Sequence, residues 1–201
     1  SYDYNWKNQE KSIIGSINGK IETLKSIKRH MEIKLSEKIS FSVILSSLIV
    51  KNIFDSLINE KNYINLGIIG AFNNNKRFNN FSLAIVTVKK DKYWNKFNNN
   101  VKFNNIINQI NKDLKKTGKS KMIGTYLITN VYNLKVYSNK FIDVLIANLP
   151  TNRPFIFGGN DVDLISFDIG NASSMPLYCN MITWNGNYKL TYFSRTNDLD
   201  N

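Results

Sequence analysis

Phe141 to Leu149 (FIDVLIANL) is apolar almost without alternation, and Pro150 stops it. A short run of that kind predicts a strand covered on both faces. Asp163 to Phe167 alternates apolar and polar residues, and predicts a half-buried strand. Met181 to Thr183 and Tyr188 to Phe193 then flank Asn185-Gly186-Asn187. Two β-rich runs around Asn-Gly predict a hairpin, because both turn residues tolerate positive φ. The C-terminal third therefore reads as a sheet with at least one buried strand, and the preceding chain must supply the helices that cover it.

Upstream, Ser12 to Ile17 predicts a strand that ends near Asn18-Gly19. Ile21, Leu24, Ile27, Lys28 and Met31 recur at helical spacing, with Lys25, Lys28 and Arg29 placed towards the C-terminal, negative end of the helix dipole. Ile39 to Leu57 is the longest apolar stretch. Ser40 is suited to cap it, and apolar residues cover most of its circumference. Ser42, Ser46, Ser47, Lys51 and Asp55 interrupt it, which favours a buried helix over a bilayer span. Ile64 to Phe72, with Gly67 and Gly70, predicts a strand closely approached by other backbone or side chains. Asn73 to Lys76 is a turn, and Phe81 to Val88 a second strong strand. Lys89 to Asn100 is a loop carrying Tyr93, Trp94 and Phe97. Val101, Ile106, Ile107, Ile110 and Leu114 line one face of a helix to Lys116, which Gly118 is expected to end. Met122 to Tyr137 fits helix or strand.

At 201 residues the chain is long enough for one domain or one half of a two-lobed protein. Hydrophobic residues make up 42% and aromatics 12%, enough for a core. The net charge of +12 favours polyanions such as nucleic acid or an anionic membrane. The lysines are scattered, however, and Asn, Lys, Ile and Tyr are heavily used, as in AT-rich coding. A generally basic surface is favoured over a dedicated patch, and any nucleic-acid binding is expected to be weak and non-specific. Basic residues interleaved with Tyr93, Trp94 and Phe97 also match a stacking platform for single strands. Packing of these aromatics at the rim is the favoured reading, because the pattern does not repeat.

Candidate chemistry is sparse. The single histidine, His30, is read in the last turn of its helix, where a solvated or helix-capping residue is favoured over a catalytic base. The single cysteine, Cys179, sits among strand residues and reads as a buried thiol. One histidine and one cysteine make a tetrahedral zinc site implausible, and no Walker-type loop or HExxH is present, so no metal site and no bound cofactor are expected. Asp161, Asp163 and Asp168 read as loop and turn residues rather than an acid–base pair. Ser1 to Gln9 is polar, without the layout of a secretory signal, and an intracellular location is expected.

The order of elements from about Lys11 onward resembles the C-terminal lobe of the wax ester synthase/diacylglycerol acyltransferase family, within the superfamily of chloramphenicol-acetyltransferase-like and condensation-domain folds. Asn148-Leu149-Pro150 resembles the family's Ser-Asn-(Val/Leu)-Pro-Gly strand end. Phe157-Gly158-Gly159 followed by Val162 to Phe167 resembles its Gly-x-x-Val strand, and Met181 to Phe193 its closing hairpin. Asp198 to Asp200 sits where the family has an acidic tail, and Arg77-Phe78-Asn79-Asn80 matches its Arg/Asn-rich strand start. Ala147 and Thr151 depart from the family's Ser and Gly, Ser42-Val43 replaces its Asn-Asp, and the His-His-x-x-x-Asp motif of its N-terminal lobe is not in this chain.

The resemblance implies an α+β fold, a mixed α/β sandwich forming one lobe, with a mixed sheet of about five or six strands flanked by helices. It implies a single domain over 1–201, in which 1–10 is a polar segment and 11–201 the lobe. It further implies a wall of an acyl-donor tunnel, with Asn148, Arg77 and Asn80 as tunnel residues, acyl-CoA as a candidate substrate, and no catalytic residue in this chain. Asn148 would offer its amide to a carbonyl or a pantetheine-like arm, or else satisfy backbone groups at its strand end. The base would come from an N-terminal lobe or a second chain. Without one, an apolar patch around Asn148–Pro154 and Tyr93–Phe97 is expected to be covered by self-association. The competing readings are a non-catalytic scaffold derived from the lobe, and a basic nucleic-acid-binding protein.

Overall fold

The apolar run around residue 146 forms an inner strand of a six-stranded mixed sheet. The architecture is a computed structural model that describes residues 12–56, 61–71, 81–131, 142–150, 156–161 and 177–195. In chain order the elements are β1 (Ser12–Lys20), α1 (Ile21–Leu35), α2 (Phe41–Asp55), β2 (Tyr63–Ala71), β3 (Phe81–Lys89) and a 3-10 turn (Trp94–Lys96). They continue with α3 (Asn99–Val131), β4 (Val144–Pro150), the two-residue β5 (Ile156–Phe157) and β6 (Asn160–Asp161), β7 (Leu177–Trp184) and β8 (Asn187–Arg195). The predicted strand at 163–167 and the turn at 73–76 lie outside the described residues.

The spatial order is β1-β8-β7-β4-β2-β3. β2, β4 and β7 run parallel, while β3, β8 and β1 are antiparallel to their neighbours. This is the mixed α/β sandwich expected from the sequence. β4 is buried on both faces: Val144 and Ile146 join a core shared with α1, α2 and α3, and Leu145 and Ala147 join a second cluster with Ile142 and Tyr178 on the opposite face. Gly67 on β2 leaves room for that second cluster: a Cβ there would lie 2.8 Å from Leu145 Cδ1, which would have to shift.

The helices start and stop for local reasons. Ser40 caps α2 by accepting the Val43 N–H at 3.3 Å. Ser36 ends α1 in a left-handed conformation, φ 51°, with cap N–H groups returning to Glu32 and Ile33. Ile106, Ile107 and Ile110 of α3 are fully buried, and truncating any of them to Ala would cost about 2–5 kcal/mol. Two expectations for α3 fail. Val101 is 37% exposed rather than part of the buried face. Gly118 does not end the helix, which continues to Val131 and so resolves the ambiguity of residues 122–131 as helix. An interior glycine costs only about 1 kcal/mol against alanine, too little to stop a helix with good helix formers around it.

The closing hairpin forms as predicted. Asn185 (φ 42°) and Gly186 (φ 75°) make the turn between β7 and β8. The Gly186 carbonyl also accepts the Ile21 N–H at 2.9 Å, tying this turn to the start of α1.

Candidate functional site

The C-terminal end of β4 meets the N-terminal end of α2. Asn148 continues the alternation of Val144 and Ile146 and so faces the helices, where its Nδ2 donates to the Ser42 hydroxyl at 3.3 Å. Serines let α2 approach the sheet here. Ser46 and Ser47 are fully buried, and their hydroxyls donate to the carbonyls of Ser42 and Val43 at 2.6 and 2.7 Å, which satisfies them without a partner on the sheet. Asn148 Oδ1 is buried and has no hydrogen-bond partner among the described residues. Ser42 therefore fixes one end of the carboxamide, while the other end is buried without a partner among the described residues. A carboxamide has no pKa near neutrality and cannot serve as a general base.

The remaining sequence candidates are dispersed. Arg77 and Asn80 lie outside the described residues, as do Asp163 and Asp168. His30 is exposed on α1, and among the described residues no hydrogen bond joins it to a carboxylate. Cys179 is 3% exposed, and burial pushes its thiol up to about 12, so it is a core residue as predicted. Burial likewise raises the buried Tyr178 hydroxyl, to about 12. No group of three or more His, Cys, Asp or Glu side chains is placed to hold a metal ion among the described residues.

Tyr93–Phe97 and Asn148–Pro154 are expected on one surface, but the topology separates the aromatic turn from Asn148, while residues 151–154 lie outside the described residues. β2 and β4 are parallel, whereas β3 is antiparallel to β2, so the turn that follows Lys89 lies at the N-terminal ends of β2 and β4. Asn148 is at the opposite end, with α2 spanning the distance: Ser42 touches Asn148, and Phe54 and Asp55 touch Trp94. Trp94 is only 3% exposed and packs edge-on against Phe54, ring centroids 5.3 Å apart, so it belongs to the core.

Two features were missed in the sequence. Asp55 is a hub that accepts from Lys51 Nζ (2.6 Å), Lys102 Nζ (2.7 Å) and Trp94 Nε1 (2.9 Å). Partial burial works against its charge, but these donors, Lys102 foremost, outweigh it and hold the carboxyl down at about 2. The i,i+4 spacing of Lys51 and Asp55 was the readable signal. The second is a cleft of about 520 Å³ lined by Glu37, Asn108, Lys112, Lys115 and Lys116. There Lys115 and Asn111 hydrogen-bond Glu37, and Lys115 lowers its pKa. The spacing of Lys112, Lys115 and Lys116 already put them on one face of α3.

No family model and no curated protein matches the sequence. Solved structures with this fold include the wax ester synthase/diacylglycerol acyltransferase from Marinobacter aquaeolei VT8, with 10% identity and TM-score 0.57 over 94% of this chain and 44% of that one. Trichothecene 15-O-acetyltransferase from Fusarium sporotrichioides has 13% identity and TM-score 0.64 over 94% and 43%. The epimerization domain from the third module of tyrocidine synthetase B has 13% identity and TM-score 0.59 over 92% and 42%. At these identities the likeness establishes only that the chain shares its fold with these proteins. The chain spans less than half the length of each of these proteins.

Proposed function

We propose that the chain is the C-terminal lobe of an acyltransferase-like protein. In this reading it forms one wall of an acyl-donor tunnel, with acyl-CoA as a donor of the right class, and takes its general base from an N-terminal lobe bearing His-His-x-x-x-Asp. The observation that carries the reading is the asymmetry of coverage: 92–94% of this chain superposes on only 42–44% of two acyltransferases and an epimerization domain. The uncommitted Oδ1 of Asn148 supports a polar contact at the strand end where the resemblance puts the tunnel. Ile156 and Phe157, 61% and 85% exposed on the hairpin that follows β4, offer an apolar contact to a second lobe.

A second reading, a non-catalytic scaffold derived from the same lobe, rests on Ala147, Thr151 and Ser42-Val43 at positions where the family pattern differs. The coding sequence upstream of Ser1 separates the two. On the enzyme reading it encodes a His-His-x-x-x-Asp lobe, and the extended chain transfers acyl groups from acyl-CoA to a long-chain alcohol, with loss of turnover when the second His becomes Ala. An extended chain that folds without such a motif, or carries it and is inert, overturns the enzyme reading in favour of the scaffold.

A further inference from the structure

The end of the sheet opposite Asn148 is basic, aromatic and rigid. From Lys89 to Lys102 the chain carries five lysines against one aspartate. The one nearby carboxylate on α2, Asp55, is already neutralised by Lys51 and Lys102. Tyr93 is 46% exposed, with the ammonium groups of Lys92 and Lys96 at 4.7 and 5.6 Å from its ring centroid. Tyr63, 53% exposed, stands at the same end of the sheet, directly across from Lys89.

The turn bearing Tyr93 is anchored at several points. The Tyr93 N–H donates to Asp91 Oδ1 at 2.7 Å, and the buried Trp94 indole donates to Asp55. Lys90 N–H donates to the Asn62 carbonyl at 2.8 Å, and the Lys89 backbone is gripped on both sides by Gln109 at 2.9 and 3.0 Å. An exposed planar ring on a fixed backbone loses little freedom when something stacks on it.

We propose that this end of the sheet binds single-stranded nucleic acid, with Tyr93 stacking on a base and Lys90, Lys92 and Lys96 meeting phosphates. Charge complementarity selects a polyanion, and the exposed rings select one with flat apolar faces. An anionic membrane fits less well. Insertion into the acyl boundary needs protruding apolar side chains, whereas Trp94 and Phe54 are buried and the exposed rings are polar-tipped tyrosines. The inference stands independently of the acyl-transfer reading.

The test is fluorescence anisotropy of a labelled deoxythymidine dodecamer with the purified chain. Three phosphate contacts imply an affinity that falls roughly 20-fold between 50 and 200 mM salt. Tyr93→Ala should weaken binding about tenfold, while Tyr93→Phe should keep it. Lys92→Ala with Lys96→Ala should weaken binding and flatten the salt dependence. Lys112→Ala with Lys116→Ala, in the α3 cleft, should leave affinity within about twofold. Circular dichroism checks the fold of each variant, and the exposed Lys and Phe variants decide the matter should Tyr93→Ala fail to fold. Unchanged affinity in Tyr93→Ala and the Lys92/Lys96 variant, or loss in the Lys112/Lys116 variant instead, overturns the proposal. So does binding to phosphatidylserine vesicles but not to the dodecamer.

Discussion

The side chain of Asn148 reaches the hydroxyl of Ser42 across 3.3 Å, joining the end of β4 to the first turn of α2 over 106 residues of sequence. These are two of the positions at which the sequence resembles, and departs from, the acyltransferase pattern. The bond leaves Asn148 Oδ1 buried and unmatched among the described residues, an arrangement that costs stability. Ser42→Ala should therefore destabilise the fold by about 1–3 kcal/mol, because the whole carboxamide is then stranded. Asn148→Leu, of similar size, removes both the bond and the unmatched acceptor and should lie within about 1 kcal/mol of wild type. Urea denaturation of both variants reads the contrast. Equal, large losses would mean that Asn148 is a purely structural residue.

The Asn185-Gly186 turn makes a local prediction. Gly186→Val forces a β-branched residue to φ 75° and should cost about 1–3 kcal/mol, with the denaturant midpoint falling and its slope unchanged. A neutral result would mean the turn does not set the β7–β8 register.

How far such features were legible depends on how local they are. The Asn-Gly hairpin, the doubly covered β4 run and the Ser40 cap are written in adjacent residues, and all three formed. The position of Tyr93–Phe97 was not legible, because it depends on β2 pairing parallel with β4 across 78 residues from Leu66 to Val144. No local pattern encodes that pairing. The Asn148–Ser42 contact was half legible: the resemblance marked both residues, but only the fold brings them together. Gly118 misled because a single glycine is a weak signal against the residues around it.

Asp55 predicts an acid-side dependence. Its folded carboxyl is held at about 2, below the unfolded value of about 3.9, so the unfolded chain binds more protons between those values. Its contribution is complete above about pH 4 and is lost as pH falls through about 2. Glu37, also lowered, acts with the same sign. Urea midpoints measured from pH 2 to 5 should rise with pH, and Asp55→Asn should flatten that rise. An unchanged slope in the variant would remove Asp55 from the account.

Cys179 should be chemically silent in the folded chain. With its thiol pushed up to about 12, the thiolate fraction is roughly a thousandfold below that of a free cysteine. Iodoacetamide at pH 8 should label the protein only at the rate of unfolding, and immediately in urea. Rapid native labelling would place Cys179 at an accessible surface.

The proposal that this chain is one lobe of an acyltransferase-like protein places the base in another lobe. The most direct measurement is turnover of acyl-CoA with a long-chain alcohol by the pure 201-residue chain, alone and with the His-His-x-x-x-Asp lobe supplied in trans. The account predicts none from the chain alone and turnover once the lobe is added. Turnover by the chain alone that disappears in His30→Ala would contradict it, because the base would then lie on α1.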